Sequence, residues 1–271
     1  MLYLKNFGLT HDPFGKAIPK LVDDPQMPKL KQHIDWLLQT KGVGVIMGEA
    51  GVGKTTAIRH LLSQQNPMQY KVFYQCDNHF QPFDIYSQFA YNLGLERHYR
   101  YANLWRALKE SLLQFYDEKK MTPVWILDES QNLSMDFLKN LPAFLNFSFD
   151  SRDIIVILLL GTARLEPMLT RSVCQSLSSR IQFYFHWQAI ESFERFREVV
   201  NQAFKNAGCH GSIISEPGMK LLHIASKGRL RDMDHLTKLS LQKATDGGYN
   251  HIPDDIIQTV IETELTTSQS N

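Results

Sequence analysis

Short apolar segments alternate with amphipathic stretches through the first two thirds of the chain. Five segments have the pattern of strands: three are strongly apolar, at 43–47, 124–127 and 154–160, and two are weaker, at 71–76 and 181–186. The strong segments are rich in β-branched residues, which is typical of parallel strands buried on both faces. Between the segments, 104–115 and 137–147 repeat apolar residues at helical spacing. The alternation predicts a doubly wound α/β domain.

Beyond residue 186 the strand pattern gives way to helical patterns. Four helices are predicted, at 190–207, 216–225, 229–244 and 254–265, with glycine-containing loops at 206–215 and 246–253. These helices predict a second, smaller helical domain. We therefore expect four regions: an N-terminal segment with a leading helix at 1–40, an α/β core at 41–187, the helical domain at 188–265 and a polar tail at 266–271.

A phosphate-binding loop follows the first strong strand and precedes a helix-like stretch. Its residues are Gly48, Glu49, Ala50, Gly51, Val52, Gly53, Lys54 and Thr55, with Thr56 continuing into the helix. In such a P-loop, successive backbone N–H groups wrap the phosphates, and the helix directs its positive end at them. Lys54 would reach the β- and γ-phosphate oxygens, and Thr55 would bind Mg²⁺. The alternative is a chance glycine-rich turn.

Two adjacent carboxylates end the strand at 124–127. Asp128 and Glu129 stand at the carboxyl end of a buried strand, where open α/β sheets place their ligands. Asp128 is expected in the Mg²⁺ shell, and Glu129 is expected to orient or deprotonate the attacking water. A solvated acidic turn is the alternative. Because a kinase would place its acceptor site here, the pair favours ATP hydrolysis.

Two further residues are candidates for sensing the nucleotide. Thr162 follows the strand at 154–160, so its hydroxyl would lie near the γ-phosphate, although it would serve equally well as a turn residue. Arg180 precedes the last strand and would reach a neighbouring subunit's nucleotide as an arginine finger. Arg180 would otherwise cap a helix or pair with a surface carboxylate. Arg171 and Arg164 are the reserve candidates for the finger.

The helical domain offers one more arginine. Gly228, Arg229, Leu230 and Arg231 open the predicted helix at 229–244. An arginine at the start of this helix could fold back over the nucleotide, and Arg231 is favoured over Arg229. Both could instead be exposed residues of a basic helix start.

Together these motifs resemble the AAA+ superfamily, and more narrowly the ExeA/TniB/IstB-like ATPases. The segment 3–14 is similar to an adenine-side segment, which implies that Phe14 contacts the nucleotide. The segment 127–133 is similar to the family's aspartate-glutamate-alanine-glutamine box, with Ser130 in place of alanine. Gly161 and Thr162 occupy the sensor-1 strand end, 177–181 the finger segment, and Arg231 the sensor-2 position. The resemblance implies an AAA+ core with a helical lid that binds ATP and Mg²⁺.

The resemblance also implies a role on DNA. The short transposon-borne members of the group suggest a protein that assembles on duplex DNA in its ATP state, as a ring or helical filament, and assists a transposase or integrase. Aromatic and basic residues between the second and third strands could contact phosphates, or could be ordinary exposed residues. They are His79, Phe80, Arg97, His98, Tyr99, Arg100 and Tyr101.

Two other classes of function remain open. A secretion-assembly ATPase of the ExeA type would act on the cell envelope, but those longer proteins continue into a membrane span and a wall-binding region. A signalling P-loop NTPase or a small-molecule kinase is the third class.

Composition restricts the cellular compartment in which the protein is expected and the classes of partner that it can bind. A formal net charge of +1 excludes a generally basic nucleic-acid binder, so any DNA surface must be local. The three cysteines, Cys76, Cys174 and Cys209, lack pairing or metal-ligand spacing, as in reducing compartments. The longest apolar run, 154–160, is far below the roughly 20 residues that span a bilayer. Without a signal-peptide pattern, a cytoplasmic protein with no membrane partner is expected.

Overall fold

A computed structural model describes residues 2–15, 24–76, 80–209 and 211–269 of the chain. It divides into two compact units. The sheet unit comprises Pro25–Glu49 and Ala57–Trp187, and the helical unit comprises the described residues of Met1–Asp24, Ala50–Thr56 and Gln188–Asn271. The tip of the phosphate-binding loop is therefore grouped with the helical unit.

The sheet unit is built on a five-stranded sheet in which all paired strands are parallel. Its strands are β1 (Gly42–Met47), β2 (Tyr70–Gln75), β3 (Thr122–Leu127), β4 (Val156–Gly161) and β5 (Ile181–His186), in the order β2-β3-β4-β1-β5. The two strands β3 and β4 are buried along their whole length, whereas the edge strands β2 and β5 expose several residues. Burial on both faces explains why the central strands are almost continuously apolar.

Helices flank this sheet. They are α2 (Met27–Thr40), α3 (Lys54–Ser63, which begins in the helical unit), α4 (Pro82–Asn92), α5 (Tyr101–Asp117), α6 (Met135–Leu145), α7 (Leu165–Leu169) and α8 (Gln175–Ser178). Short 3₁₀ turns occupy Ser130–Asn132 and Ser172–Cys174. The core is aromatic: the rings of Phe89 and Trp125 stack with centroids 4.1 Å apart. Burying such large rings supplies much of the apolar stabilisation of the sheet unit.

The helical unit has its own core. Its helices are α1 (Leu2–Asn6), α9 (Phe193–Asn206), α10 (Glu216–Ser226), α11 (Leu230–Asp246) and α12 (Asp254–Gln269). Tyr3, Phe7 and Leu9 of the N-terminal segment are buried against these helices. The backbone N–H of Thr10 donates to the carbonyl of Ala207 at 2.8 Å. None of the helices in the described ranges is long and apolar enough to cross a membrane.

The α/β fold class expected from the sequence is confirmed, with adjustments at the ends of elements. All five predicted strands form. The helix predicted at 137–147 ends at Leu145, because Asn146 adopts an extended conformation. The helix predicted from residue 190 begins at Phe193, because the Ser192 hydroxyl accepts from the N–H of Arg195 at 3.3 Å and caps it. The region predicted at 1–40 is divided, with residues 2–15 in the helical unit and α2 in the sheet unit.

Candidate active site

The loop between β1 and α3 has the backbone of a phosphate cradle. Strand β1 ends at Met47, and α3 begins at Lys54 without an acidic residue in its first turn. Gly51 and Gly53 have φ angles of +83° and +105°, a region that side chains disfavour. The amino end of a helix preceded by such a glycine-rich turn attracts phosphate. The Lys54 side chain is buried, which suits a cation held for an anionic ligand.

Within the helical unit, the start of α11 contacts the tip of this loop. The backbone N–H of Arg231 donates to the Gly51 carbonyl at 3.0 Å, and a Cβ added to Gly51 would lie 2.8 Å from the Arg231 Cβ. Gly228 is equally constrained, because an added Cβ would lie 2.1 Å from the Ile190 carbonyl oxygen. Arg231 is exposed, whereas Arg229 pairs with Asp232 at 2.6 Å. Of the two arginines, Arg231 is therefore the one that adjoins the loop with an exposed side chain.

In the sheet unit, the acidic pair follows β3 at the carboxyl edge of the sheet. Asp128 is 5% exposed; its Oδ2 accepts from the Tyr74 hydroxyl at 2.9 Å and its Oδ1 from the Glu129 N–H at 2.9 Å. Burial, followed by this hydrogen bond, raises the pKa of Tyr74 well above its usual value, so the phenol remains a donor. Glu129 is exposed with φ 52° and ψ 39°, a left-handed conformation that costs about 1–3 kcal/mol. Such local strain is common at functional sites.

The end of β4 lies beside the acidic pair. The Gln131 side chain donates to Glu129 Oε2 at 2.7 Å and accepts from the Thr162 N–H at 3.0 Å. The Thr162 hydroxyl is buried and has no hydrogen-bond partner within the described part of the chain. A buried hydroxyl without a protein partner is free to hydrogen-bond to a ligand. The Gly48 N–H donates to the Gly161 carbonyl at 3.2 Å, so β4 also reaches the start of the phosphate-binding loop.

Arg180 lies at the opposite, amino edge of the sheet, immediately before β5. Its guanidinium donates to both carboxylate oxygens of Asp150 at 3.0 and 3.1 Å. Asp150 belongs to a run of three residues with positive φ, from 148 to 150. The reserve candidates Arg164 and Arg171 are exposed, at the start of α7 and just before the turn Ser172–Cys174. In this structure Arg180 therefore pairs with a surface carboxylate, which is the alternative to the arginine-finger role.

The N-terminal segment places Phe14 in the helical unit. The Phe14 ring packs edge to face on Phe204 of α9, with centroids 5.8 Å apart. Asp12 and Asp234 both pair with Lys238, at 2.6 and 2.7 Å, which ties the segment to α11. Phe14 is thus held on the unit that also contains Arg231.

Comparison with protein families and known structures identifies the fold. Residues 37–169 match the family model described as an AAA domain. The fold is that of an AAA+ P-loop NTPase. The chain is also 27% identical over 237 residues to the general secretion pathway protein A of Aeromonas hydrophila, an alignment that covers 84% of this chain and 42% of that protein.

Solved structures share the AAA+ fold. The Aeropyrum pernix ORC2 protein, in ADPNP-ADP complexes, superposes with a TM-score of 0.73 at 20% identity, over 94% of this chain and 72% of that one. The Aeropyrum pernix ORC1 protein in complex with DNA gives 0.71 at 13% identity, over 93% and 68%. The Thermotoga maritima RuvB Holliday junction branch migration motor gives 0.57 at 16%, over 93% and 73%.

The residues on the AAA+ fold fit a nucleotide with its Mg²⁺. Within the helical unit, Gly51 and Gly53 of the loop have left-handed φ angles. Within the sheet unit, the buried Thr162 hydroxyl has no partner among the described residues. The described residues contain no group of three or more His, Cys, Asp or Glu side chains placed for a metal. Mg²⁺ is commonly bound by one or two side-chain oxygens together with phosphates and water.

Sequence reasoning missed two side chains of the site. Tyr74 comes from β2 and contacts Asp128 only because β2 and β3 pair in the register that places Tyr74 opposite Ile126. Gln131 lies within the segment 127–133, to which the resemblance assigns no separate role for this residue. Its position two residues after Glu129 was the available signal.

The contact between Gly51 and Arg231 predicts a specific effect of an added methyl group. Gly51→Ala should reduce ATP affinity roughly tenfold or more, because a left-handed alanine costs about 1–2 kcal/mol and its Cβ would also displace Arg231. Fluorescence titration with a labelled ATP analogue measures this affinity.

Gly94→Ala is the matched control, since Gly94 has the same φ of +83° and open space around an added Cβ. It should bind the analogue like wild type. Equal affinity for Gly51→Ala and wild type would show that this close approach is unimportant for the ligand.

Proposed function

We propose that this protein binds ATP with Mg²⁺ and hydrolyses it to ADP and phosphate. The supporting observation is the shared carboxyl edge of the parallel sheet, where β1 leads into the phosphate-binding loop, β3 ends directly before the acidic pair and β4 ends directly before Thr162. Ligands of open α/β sheets bind at this edge.

Each residue has a role in this proposal. Lys54 neutralises the β- and γ-phosphates, and Thr55 and Asp128 hold Mg²⁺, which supplies charge neutralisation on the phosphate oxygens. The remaining nucleotide contacts come from Gly48, Glu49, Ala50, Gly51, Val52, Gly53 and Thr56 of the loop, from Phe14 on the adenine side and from Arg231.

The exposed carboxylate of Glu129 orients the attacking water or accepts its proton. Thr162 detects the γ-phosphate through its buried hydroxyl, which has no partner among the described residues.

Two substitutions separate binding from chemistry. Lys54→Ala removes a charged hydrogen-bond donor, so ATP affinity should fall about 10- to 100-fold. Glu129→Gln keeps the shape of the side chain but not its basicity, so it should bind ATP normally while kcat falls about 100-fold or more. Phosphate release and labelled-ATP titration measure the two quantities.

Glu110→Gln, at an exposed position of α5, is the control and should leave both quantities unchanged. An equal loss of affinity in the Lys54 and Glu129 variants would contradict the division of roles. An inactive wild-type protein in every oligomeric and DNA-bound state would contradict hydrolysis itself.

We also propose that Arg180 acts on the nucleotide of a neighbouring subunit. Its ion pair with Asp150 is partly exposed, with side chains 27% and 51% accessible. Such pairs contribute about 0–1 kcal/mol, whereas an arginine finger contributes a factor of about 10³–10⁵ in kcat. Arg180 could therefore leave Asp150 at little cost in an assembled ring or filament.

Mixing inactive subunits tests this role. At ATP concentrations too low to fill the Lys54→Ala site, Arg180→Ala and Lys54→Ala proteins should each be inactive alone, and a mixture should recover part of the ATPase activity. A Lys54-intact site would then face an Arg180-intact neighbour. Asp150→Ala separates the roles, because it breaks the ion pair without removing Arg180 and should remain active. If mixed oligomers form and stay inactive, Arg180 has no role in trans.

The proposal extends to DNA: several subunits with bound ATP assemble on duplex DNA. The segment between α4 and α5 exposes Arg97, Tyr99 and Arg100, and the Arg97 guanidinium lies over the Tyr99 ring at 5.2 Å. Phe80, Arg97, His98 and Tyr99 border a cavity of about 590 Å³, which Asp84 and Glu96 also line. Because the surface is small and its charge mixed, firm binding would require its repetition over several subunits. His79 lies outside the described residues.

The position of Arg100 argues against a purely structural role. It precedes α5, whose first turn contains no acidic residue and whose N-cap makes no side-chain hydrogen bond. A cation at this end opposes the helix dipole, at a cost of about 0.3–1 kcal/mol. A phosphate bound there would be attracted by both the helix end and the arginine.

Salt dependence provides the test of the DNA surface. Binding to duplex DNA should be stronger with ATP than with ADP and should weaken steeply as salt rises. Replacing Arg97 and Arg100 by alanine should make the slope of log K against log salt shallower by about two per bound subunit, because each arginine contributes about one phosphate contact. Fluorescence anisotropy measures it.

Replacing Arg197 and Lys205, two exposed cations of α9, by alanine is the control for net charge and should leave DNA binding unchanged. DNA binding that is insensitive to salt, or equal in ADP and ATP, would contradict the proposed mechanism.

On DNA, the assembly would select a target for a transposase or integrase in the cytoplasm; the motif resemblance supports this step. A second candidate is a secretion-assembly ATPase, which the similarity to the Aeromonas hydrophila protein favours. The two candidates separate experimentally, because absence of DNA binding in every nucleotide state would favour the secretion function. Neighbouring genes for a transposase or for secretion components provide an independent indication.

A further inference from the structure

Gln131 connects two strand ends of the sheet unit through a single side chain. Its amide nitrogen donates to Glu129 Oε2 at 2.7 Å, and its amide oxygen accepts from the Thr162 N–H at 3.0 Å. Glu129 follows β3 and Thr162 follows β4. The Glu129 carboxylate, otherwise exposed, is thus hydrogen-bonded to a group whose position depends on the end of β4.

The chemistry of both partners fixes the orientation of this amide. A carboxylate only accepts hydrogen bonds, and a backbone N–H only donates. Turning the amide over would place oxygen against oxygen and N–H against N–H, so one orientation satisfies both contacts. Gly161 makes the approach possible, because a Cβ there would lie 2.8 Å from the Gln131 oxygen.

We propose that Gln131 is a positioning residue that sets the rotamer of Glu129 according to the position of the β4 end. This inference rests on the proposed ATPase function. Thr162 is the residue at which the γ-phosphate would be detected, so a displacement of its backbone would be transmitted through the amide to the water-orienting carboxylate. Gln131 itself need not contact the nucleotide. Its loss should therefore change kcat more than nucleotide affinity.

Two variants of Gln131 separate its two hydrogen bonds. Gln131→Ala removes both, and Gln131→Glu keeps an acceptor for Thr162 while placing a like charge beside Glu129. Both should lower kcat about tenfold or more, with ATP affinity within about twofold of wild type. Amide hydrogen exchange at Thr162, followed by NMR without nucleotide, should accelerate in Gln131→Ala and stay slow in Gln131→Glu. If Gln131 only held Thr162 in place, Gln131→Glu would keep both slow exchange and wild-type kcat. Slow exchange together with a lowered kcat in Gln131→Glu therefore indicates that Gln131 positions Glu129.

Gln258→Ala is the matched control, because Gln258 also donates to a glutamate, Glu262 at 3.0 Å, on the exposed face of α12. It should leave both readouts unchanged. Gly161→Ala should reproduce the Gln131→Ala result without altering Gln131. Unchanged kcat in the Gln131 variants of an active wild type would overturn the inference, as would unchanged Thr162 exchange in Gln131→Ala. If the wild type does not hydrolyse ATP, the proposed function fails, while the exchange measurement still tests the link.

Discussion

The register of β4 between β1 and β3 determines where the chemically active groups of the sheet unit lie. Gly161 pairs with Met47 on one side, and Leu159 pairs with Leu127 on the other. A slip of β4 by one residue would place a Cβ where Gly161 has none, against the Gln131 oxygen at 2.8 Å. Because both faces of β4 are buried and apolar, alternation of side chains cannot fix this register. We infer that close contact at the glycine helps to fix it.

Polar groups at the carboxyl edge support one another where the apolar strands end. Asp128 accepts from Tyr74 and from the next backbone N–H, and the buried Ser130 hydroxyl donates to the Leu127 carbonyl at 2.7 Å. An unpaired buried polar group would cost about 1–3 kcal/mol of folding free energy. The main effect of these hydrogen bonds is therefore to avoid that cost, and their net contribution to stability is smaller. They also hold the left-handed turn at Glu129. Ser130 can therefore replace the alanine of the related motif without leaving its hydroxyl unpaired.

The sequence predicted the parts of the site that are contiguous in the chain. The phosphate-binding loop and the acidic pair are recognisable because their residues and flanking strand patterns lie together. The edge strands gave weaker patterns because exposed polar residues interrupt their apolar runs, as at Lys71 of β2 and Gln182 of β5. The contacts of Gly51 with Arg231 and of Arg180 with Asp150 join residues far apart in sequence. Such tertiary pairs leave no local pattern, so the partner residues Gly51 and Asp150 could not be identified from the sequence.

A response to ATP requires groups whose interactions differ between the ATP and ADP states. In the proposed site these are the groups assigned to the γ-phosphate: Glu129, Thr162 and, from a neighbour, Arg180. The first two are already joined through Gln131, and the third is restrained only by a partly exposed ion pair.

The pair that restrains Arg180 has to be weak, because a ligand shifts an equilibrium only by its differential affinity for the two states. If Arg180 were buried with Asp150, breaking the pair could cost about 3–5 kcal/mol and oppose assembly. At the observed exposure, contact with a neighbour's γ-phosphate could outweigh it, so nucleotide state and subunit contact would be coupled through one arginine.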